Sequence, residues 1–216
     1  MNPAETLDEG VIEIRGGGAI HDRDETFRLS RTQSGGYLIE TRIVPLDQRY
    51  DCTTWCSYDE AWRPTCARAE GRNGDDTFTV EIAPQADHAD ITLRRPGKSD
   101  EVRSVAYSPE MLIDLEPSAL PMWAMTHRYD RAAGGVQTFG WIGRSLIRDL
   151  VLEGGRTPLE CHGVEALGER FTFSETYPLP NGAVFTVKFE LLCDSSGLLT
   201  SFGIDTGASR LRGTRR

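Results

Sequence analysis

The chain alternates. Phe78, Val80 and Ile82 are interleaved with Thr77, Thr79 and Glu81, and Ile91 and Leu93 with Asp90, Thr92 and Arg94. The same two-residue period runs through Phe171, Phe173, Glu175 and Tyr177, and again through Phe185, Val187, Phe189 and Leu191. Successive strand side chains point to opposite faces, so this pattern puts one set on a core and the other toward water. Between the runs lie Gly35-Gly36, Asn73-Gly74, Pro96-Gly97, Gly154-Gly155, Asn181-Gly182 and Ser196-Gly197. Each pair can supply the positive φ of a tight hairpin turn. The runs and turns predict about ten to twelve strands in a mainly β protein, an antiparallel meander curled into a barrel or half-barrel.

One stretch, about 108–130, breaks the period. Ser108, Pro109 and Glu110 read as a helix entry: a hydroxyl cap, proline at the first position, then an acid on the dipole. Met111, Leu112, Ile113 and Leu115 follow, and beyond Pro117 a second helix is predicted from Ser118 to Asp130. There Leu120, Trp123, Ala124 and His127 share one stripe, while Met122, Met125 and Tyr129 form another. A helix apolar on more than one face is buried, and the concave side of the sheet is the place to bury it. Strands resume at Val136. No repeat or long linker interrupts the chain, which reads as a single domain, 1–216, with 1–9 and 208–216 as flexible tails.

This order of elements resembles the LolA-like group of bacterial β half-barrels and, more loosely, the lipocalins. The resemblance rests on the Ser108-Pro109-Glu110-Met111-Leu112 entry, the aromatic helix around Trp123 and the hairpin spacing on both sides. It implies a lipid-like molecule held in a cavity between sheet and helix. Lipocalin-like barrels also serve as cyclases in natural-product pathways, and the resemblance in kind of fold carries over no functional residue.

Composition narrows the partners. Hydrophobic residues make up 38% and charged residues 26% of the 216, enough apolar material for a packed core. The net charge of -9 argues against nucleic acid or an anionic membrane as partner, since both need clustered basic charge. Basic residues cluster at the end, in Arg210, Arg212, Arg215 and Arg216, and the chain has just two lysines, Lys98 and Lys188. The first ten residues are acidic and polar, unlike a signal peptide, and no stretch reaches the ~20 apolar residues of a membrane span. A cytoplasmic location is the expectation, and five cysteines, an odd number, fit a reducing compartment.

The candidate chemistry is sparse. Cys52 and Cys56 on one unbroken strand lie ~13 Å apart, too far for a shared zinc or a disulfide, and read as small buried hydrophobes. His127, on the apolar stripe, is either a general acid or base with Asp130 to orient it and Tyr129 beside it, or a buried neutral histidine bonded to a carbonyl. Glu175 shares a phase with three aromatics, so it is either a desolvated proton carrier or the partner of an arginine near a rim. Glu40 and Arg42 sit opposite Tyr37, Ile39, Thr41 and Ile43, as solvent pairs or as the polar end of a cavity. Glu160 and His162 share one face of a strand. Trp55, Trp62, Trp123 and Trp141 are equally fit to line a ligand pocket or to fill a core. Gly16-Gly17-Gly18 lacks the phosphate-binding spacing, and no nucleophile elbow or two-histidine zinc motif is present.

Two functions therefore stand side by side, both without cofactor or metal. In one, a hydrophobic or amphipathic small molecule undergoes a cofactor-independent cyclisation, isomerisation or elimination, with His127, Glu175, Tyr129 and Asp130 moving protons. In the other, the chain is a non-catalytic carrier or sensor of lipid-like molecules. Convergence of titratable groups within one pocket would favour the first.

Overall fold

The computed structural model describes residues 3–16, 22–45, 50–116, 118, 120–146, 150–165, 168–178, 184–205, 207 and 210–216. The expected alternation is realised as one continuous curled sheet, which is not closed. Its strands are β1 (Pro3–Arg15), β2 (Arg23–Thr32), β3 (Tyr37–Pro45), β4 (Tyr50–Tyr58), β5 (Pro64–Asn73), β6 (Asp76–Pro84), β7 (His88–Arg94), β8 (Glu101–Ala106), β9 (Leu112–Asp114), β10 (Val136–Arg144), β11 (Leu152–Glu165), β12 (Gly168–Pro178), β13 (Val184–Cys193), β14 (Leu199–Asp205) and β15 (Arg210–Arg215). They run β8-β7-β6-β5-β4-β3-β2-β1-β15-β14-β13-β12-β11-β10-β9, two meanders, antiparallel except for β9 beside β10, joined where β1 meets β15.

Of the segments expected as flexible tails, 1–9 and 208–216, residues 3–9 and 210–215 run in strands, and 1, 2, 208 and 209 lie outside the described residues. Ile12 pairs with Arg215 and Ile14 with Gly213, so the two ends of the chain lie side by side in the middle of the sheet. Leu211 falls between Arg210 and Arg212 in strand alternation and is buried, while its arginine neighbours face the other way. One apolar anchor per turn of the pleat suffices because both flanking strands supply hydrogen bonds.

The inner face carries Ile12, Ile14, Ile39, Ile43, Val80, Ile82, Ile91 and Phe171, all essentially inaccessible to water. It wraps one helix, α1 (Leu120–Arg128), whose residues 120 to 126 are all buried. The Ser118 hydroxyl accepts the Leu120 N–H at 3.2 Å and so caps the helix start. It donates in turn to the Glu25 carboxylate on β2. Arg128 closes the other end, where a cation suits the dipole, and binds the Glu110 carboxylate at 2.6 Å.

A helix entry and a turn expected from the sequence are revised. Ser108 to Met111 makes a single turn, with the Met111 N–H on the Ser108 carbonyl, and Leu112–Asp114 then joins the sheet beside β10. Leu112 and Ile113 are both buried although consecutive, since one side of β9 faces α1 and the other the sheet wall. β9 pairs in parallel with β10, a non-local choice that local helix signals cannot reveal. Gly154-Gly155 is also no turn but lies inside β11, opposite Trp141 and Ile142. A Cβ on Gly155 would stand 3.1 Å from the Trp141 indole nitrogen, so the glycine makes room for that ring.

The free edges are β8 and β9. Arg144, at the end of β10, reaches across to Glu101 of β8 at 2.7 Å and also donates to the Leu150 carbonyl. This nearly inaccessible guanidinium ties the first meander to the second where backbone bonds do not.

Gly213 lets the curl close tightly: a Cβ there would lie 2.5 Å from the Phe202 ring. Gly213→Val should therefore destabilise the fold by about 1–3 kcal/mol through overpacking, read as a lower urea midpoint at unchanged slope.

Candidate functional site

Three places hold the side chains that chemistry would need. The first is an aromatic stack at the C-terminal end of α1. Trp62, in the β4–β5 turn, lies flat on His127, with ring centroids 3.9 Å apart and 4° between planes. Tyr37 stacks on the far side of Trp62 at 4.2 Å, and Trp123 tilts against both Trp62 and His127. The turn is built to insert Trp62. Asp59 accepts the N–H groups of Ala61 and Arg63 through one carboxylate oxygen, and Trp62 itself adopts φ of 60°, a conformation that strains a bulky residue. The Trp123 indole donates to the Gly197 carbonyl at 2.9 Å, which fixes the β13–β14 turn over the same end.

His127 is thus sandwiched among rings rather than placed beside an acid. Its Nε2 is buried with no hydrogen-bond partner among the described residues. Burial, and then the nearby Arg131, push its pKa down to about 4. Asp130 does not orient it: that carboxylate is exposed and accepts the Ala132 and Ala133 N–H groups of the following turn. Tyr129 points elsewhere again, donating to the Gly135 carbonyl at 2.7 Å with its ring edge on Phe171. The side chain of Glu175 lies outside the described residues, and its backbone pairs with Val187 in β12.

The tryptophans and the Glu40–Arg42 pair divide by face. Trp62, Trp123 and Trp141 are buried core residues. Trp55 sits with Asp51 and Thr53 on the opposite face of β4, with Arg68 over its ring at 5.7 Å. Glu40 and Arg42 lie on that outer face too, and Arg42 pairs with Asp51 at 3.3 Å. The helix–sheet space expected to be a cavity is filled by one packing cluster that includes Leu120, Trp123, Met125, Ile39, Cys56 and Phe171. Cys52 and Cys56 share the inner face of unbroken β4 as free thiols, both pushed up to about 12 by burial.

The second place was missed by the sequence reading. Arg23 and Glu25 are buried on the inner face of β2, in phase with Phe27 and Leu29. Thr41 and Thr54 share a hydrogen bond of 2.6 Å within the same interior. The signal was the alternation itself, which runs through Arg23, Glu25, Phe27 and Leu29 without a break. A carboxylate there is tolerable because the Ser118 hydroxyl and the N-terminal end of α1 both favour negative charge. The group pins α1 to the wall.

The third place is open. A groove of about 1270 Å³ crosses the outer face of β10 to β15. Its floor follows one transverse row of partners, Val136, Glu160, Thr172, Glu190, Gly203, Arg212 and Arg15, and a second row, Ser174, Lys188, Asp205 and Arg210. The alternate residues Phe171, Leu191 and Phe202 face the core. Pro158 and Leu192 add apolar surface to the lining. His162 stands at the margin, its Nε2 2.6 Å from the Thr172 hydroxyl. A smaller hollow of about 680 Å³ lies between the β2–β3 and β4–β5 turns.

A curled, unclosed sheet around one short buried helix defines a β-barrel-like protein. Two solved structures align with the chain. A β-barrel-like protein of the domain of unknown function DUF1849 from Brucella abortus aligns over 100% of this chain and 98% of its own, with TM-score 0.63 and 10% identity. A DUF1089 family protein from Pseudomonas aeruginosa aligns over 92% and 89%, with TM-score 0.45 and 13% identity. The first supports the fold and no more. No family model matches the sequence, and no curated protein matches it. Among the described residues, no helix is long and apolar enough to cross a membrane, and no three His, Cys, Asp or Glu side chains are grouped to hold a metal.

The depressed pKa of His127 has a measurable consequence. Above the unfolded value of about 6.5 both states are neutral there, and stability is full. As pH falls from 6.5 toward 4, the unfolded chain takes up a proton that the folded one refuses. The loss, up to about 3 kcal/mol, is complete below the folded pKa. The expected result is a flatter stability profile across pH 6.5–4 for His127→Gln than for the native chain in chemical denaturation. The His127 ring resonance should titrate near 4 by NMR.

Proposed function

We propose that this protein is a non-catalytic carrier or sensor that binds an amphipathic small molecule in the outer groove of β10 to β15. The observation that carries this reading is the groove itself. It is open and large enough for an elongated ligand, and it mixes apolar surface (Val136, Pro158, Leu192) with hydroxyls and charges. The inner face, by contrast, is occupied by α1. The resemblance to LolA-like half-barrels adds a lipid-like ligand class, but the open space here is on the face turned away from the helix.

An acid–base enzyme is the weaker reading. Its chemistry needs two titratable groups converging on a reacting atom. Asp130 and Tyr129 bond to separate backbone groups, His127 lies among aromatic rings, and Asp51 is paired with Arg42 on the outer face of the sheet.

The test is native mass spectrometry of protein purified without detergent, with solvent extraction of anything bound, followed by titration with a fluorescent fatty-acid probe. One amphiphile per chain is expected. Leu192→Asp should weaken probe binding about tenfold, since half-burying a leucine is worth about 1.5 kcal/mol, whereas Trp55→Phe, on β4, should leave it unchanged. Probe binding undiminished by Leu192→Asp would move the site elsewhere.

A further inference from the structure

The glycines inside strands point to a subsite within the groove. Glycine weakens a strand, and where it occurs another group usually needs the space. Most strand glycines here follow that rule. A Cβ on Gly71 would meet the Asp51 carbonyl at 2.2 Å, on Gly143 the Asp114 carbonyl at 1.9 Å, and on Gly213 the Phe202 ring at 2.5 Å. Gly10, Gly140, Gly154 and Gly155 face atoms at 3.0–3.1 Å. Gly168 has a positive φ.

Gly203 departs from the rule. It sits mid-strand in β14, outside the positive-φ set, and the nearest atoms to its missing Cβ are at 3.9 Å, in ordinary contact. Unlike these other strand glycines, it has neither a crowding neighbour nor a backbone reason. It also lies on the floor of the groove. The protein leaves a vacancy there that its own atoms do not use.

The charges around this vacancy are unevenly committed. Glu190 and Arg212 are the cross-strand partners of Gly203, and Lys188 and Asp205 occupy the next row. The acids beside Gly203 are engaged: Glu190 with Arg170 at 3.5 Å and Asp205 with Arg210 at 2.9 Å. Arg15 is held by Asp24 at 2.7 Å. Arg212 forms no ion pair with any described residue, and Lys188 touches no described carboxylate directly, acting on its cross-strand partner Asp205 only through space. The two flank Gly203 from opposite strands. The hydroxyls of Ser201 and Thr214 line the groove on its other side.

The geometry points to a head-group subsite over Gly203, in which Lys188 and Arg212 bind the anionic end, a carboxylate or phosphate, of the amphiphile proposed above. This rests on the groove being the binding site. Arg212 can offer a planar pair of donors to such a group, and Lys188 a point charge. The ligand's chain would run across Leu192 toward Pro158 and Val136. A side chain at 203 would stand where the head group sits.

The experiment compares dodecanoate, dodecyl phosphate, dodecanol and dodecyltrimethylammonium, with inorganic phosphate as the chainless control, by displacement of the fluorescent probe below micellar concentration. Both anions should bind the native chain at least tenfold tighter than dodecanol, and the cation more weakly still. Lys188→Gln and Arg212→Gln should each cost the anions fivefold or more and leave dodecanol unchanged. Gly203→Val should abolish binding of every amphiphile while thermal stability holds or rises, because valine suits a strand and meets no clash. Equal affinity for dodecanol and dodecanoate would overturn the subsite while leaving the groove intact. Inorganic phosphate binding as tightly as dodecyl phosphate would also overturn it, in favour of a free-anion site. Undiminished binding by a folded Gly203→Val chain would place the head group elsewhere. If the native chain binds none of the amphiphiles, the groove reading itself fails, and the subsite with it.

Discussion

The structure depends on the burial of a helix that has no polar side to spare. Seven consecutive residues of α1, from Leu120 to Thr126, are hidden, so the sheet must surround the helix rather than merely cover it. Trp123 is the centre of that contact. It is fully buried, lies against Trp62 and His127, and uses its indole N–H to hold the Gly197 carbonyl. A tryptophan combines large apolar area with one donor that must be satisfied, and here the two demands are met from opposite halves of the sheet, by the β4–β5 turn and the β13–β14 turn. The Ser118–Glu25 bond fixes the other end of the helix to β2. Curl, register and the inward fold of the β4–β5 turn all follow from closing the wall around this plug.

A filled inner face decides where a ligand can go. In a half-barrel with a loose helix, the space between helix and sheet is the natural cavity. Here Leu120, Met125, Ile39 and Phe171 occupy it, and the strain stored in Trp62 at φ of 60° is spent on sealing the end over His127. The same curvature that tightens one face must shape the other. Across β10 to β15 the outer face is hollow, with short or flexible side chains along its floor. Core packing and the outer groove are two sides of one bend, and Gly213 beneath Phe202 belongs to the first as Gly203 belongs to the second.

Much of this was legible in the sequence, and the failures have physical reasons. Period-two alternation predicts the strands because one face is buried, and it predicts α1 because Leu120, Trp123 and Ala124 cannot share a strand face. β9 was illegible because Leu112 and Ile113 are adjacent and both buried, a pattern that helix and doubly covered strand share. The terminal strand was readable, since Leu211 stands alone between arginines, but a basic tail suggests solvent before it suggests pairing. Glu25 was readable too. Its phase with Phe27 and Leu29 places it inside, and a charge on an apolar face is easily dismissed. For the site, the aromatic residues around His127 could be named from the sequence, but their role in packing could not. The groove was not legible, because its outer-face residues look like any solvated strand surface until the curvature is known.

The net charge of the chain bears less on the proposed ligand than composition suggests. A value of -9 opposes a polyanion such as nucleic acid, which samples the field over many residues. A small head group samples a few ångströms, and beyond about 8 Å at physiological ionic strength the rest of the surface is screened. What matters locally is which charges are already spent. Arginine-rich, lysine-poor chains pair their acids efficiently, since the guanidinium fork holds a carboxylate at two points, as Arg131 does with Glu169. Across β12 to β15 that pairing engages Glu190 and Asp205, and leaves one of the two lysines and one arginine of the terminal strand without a direct ion pair among the described residues. An acidic protein can thus present a cationic spot, provided its carboxylates are neutralised by neighbours rather than by the ligand.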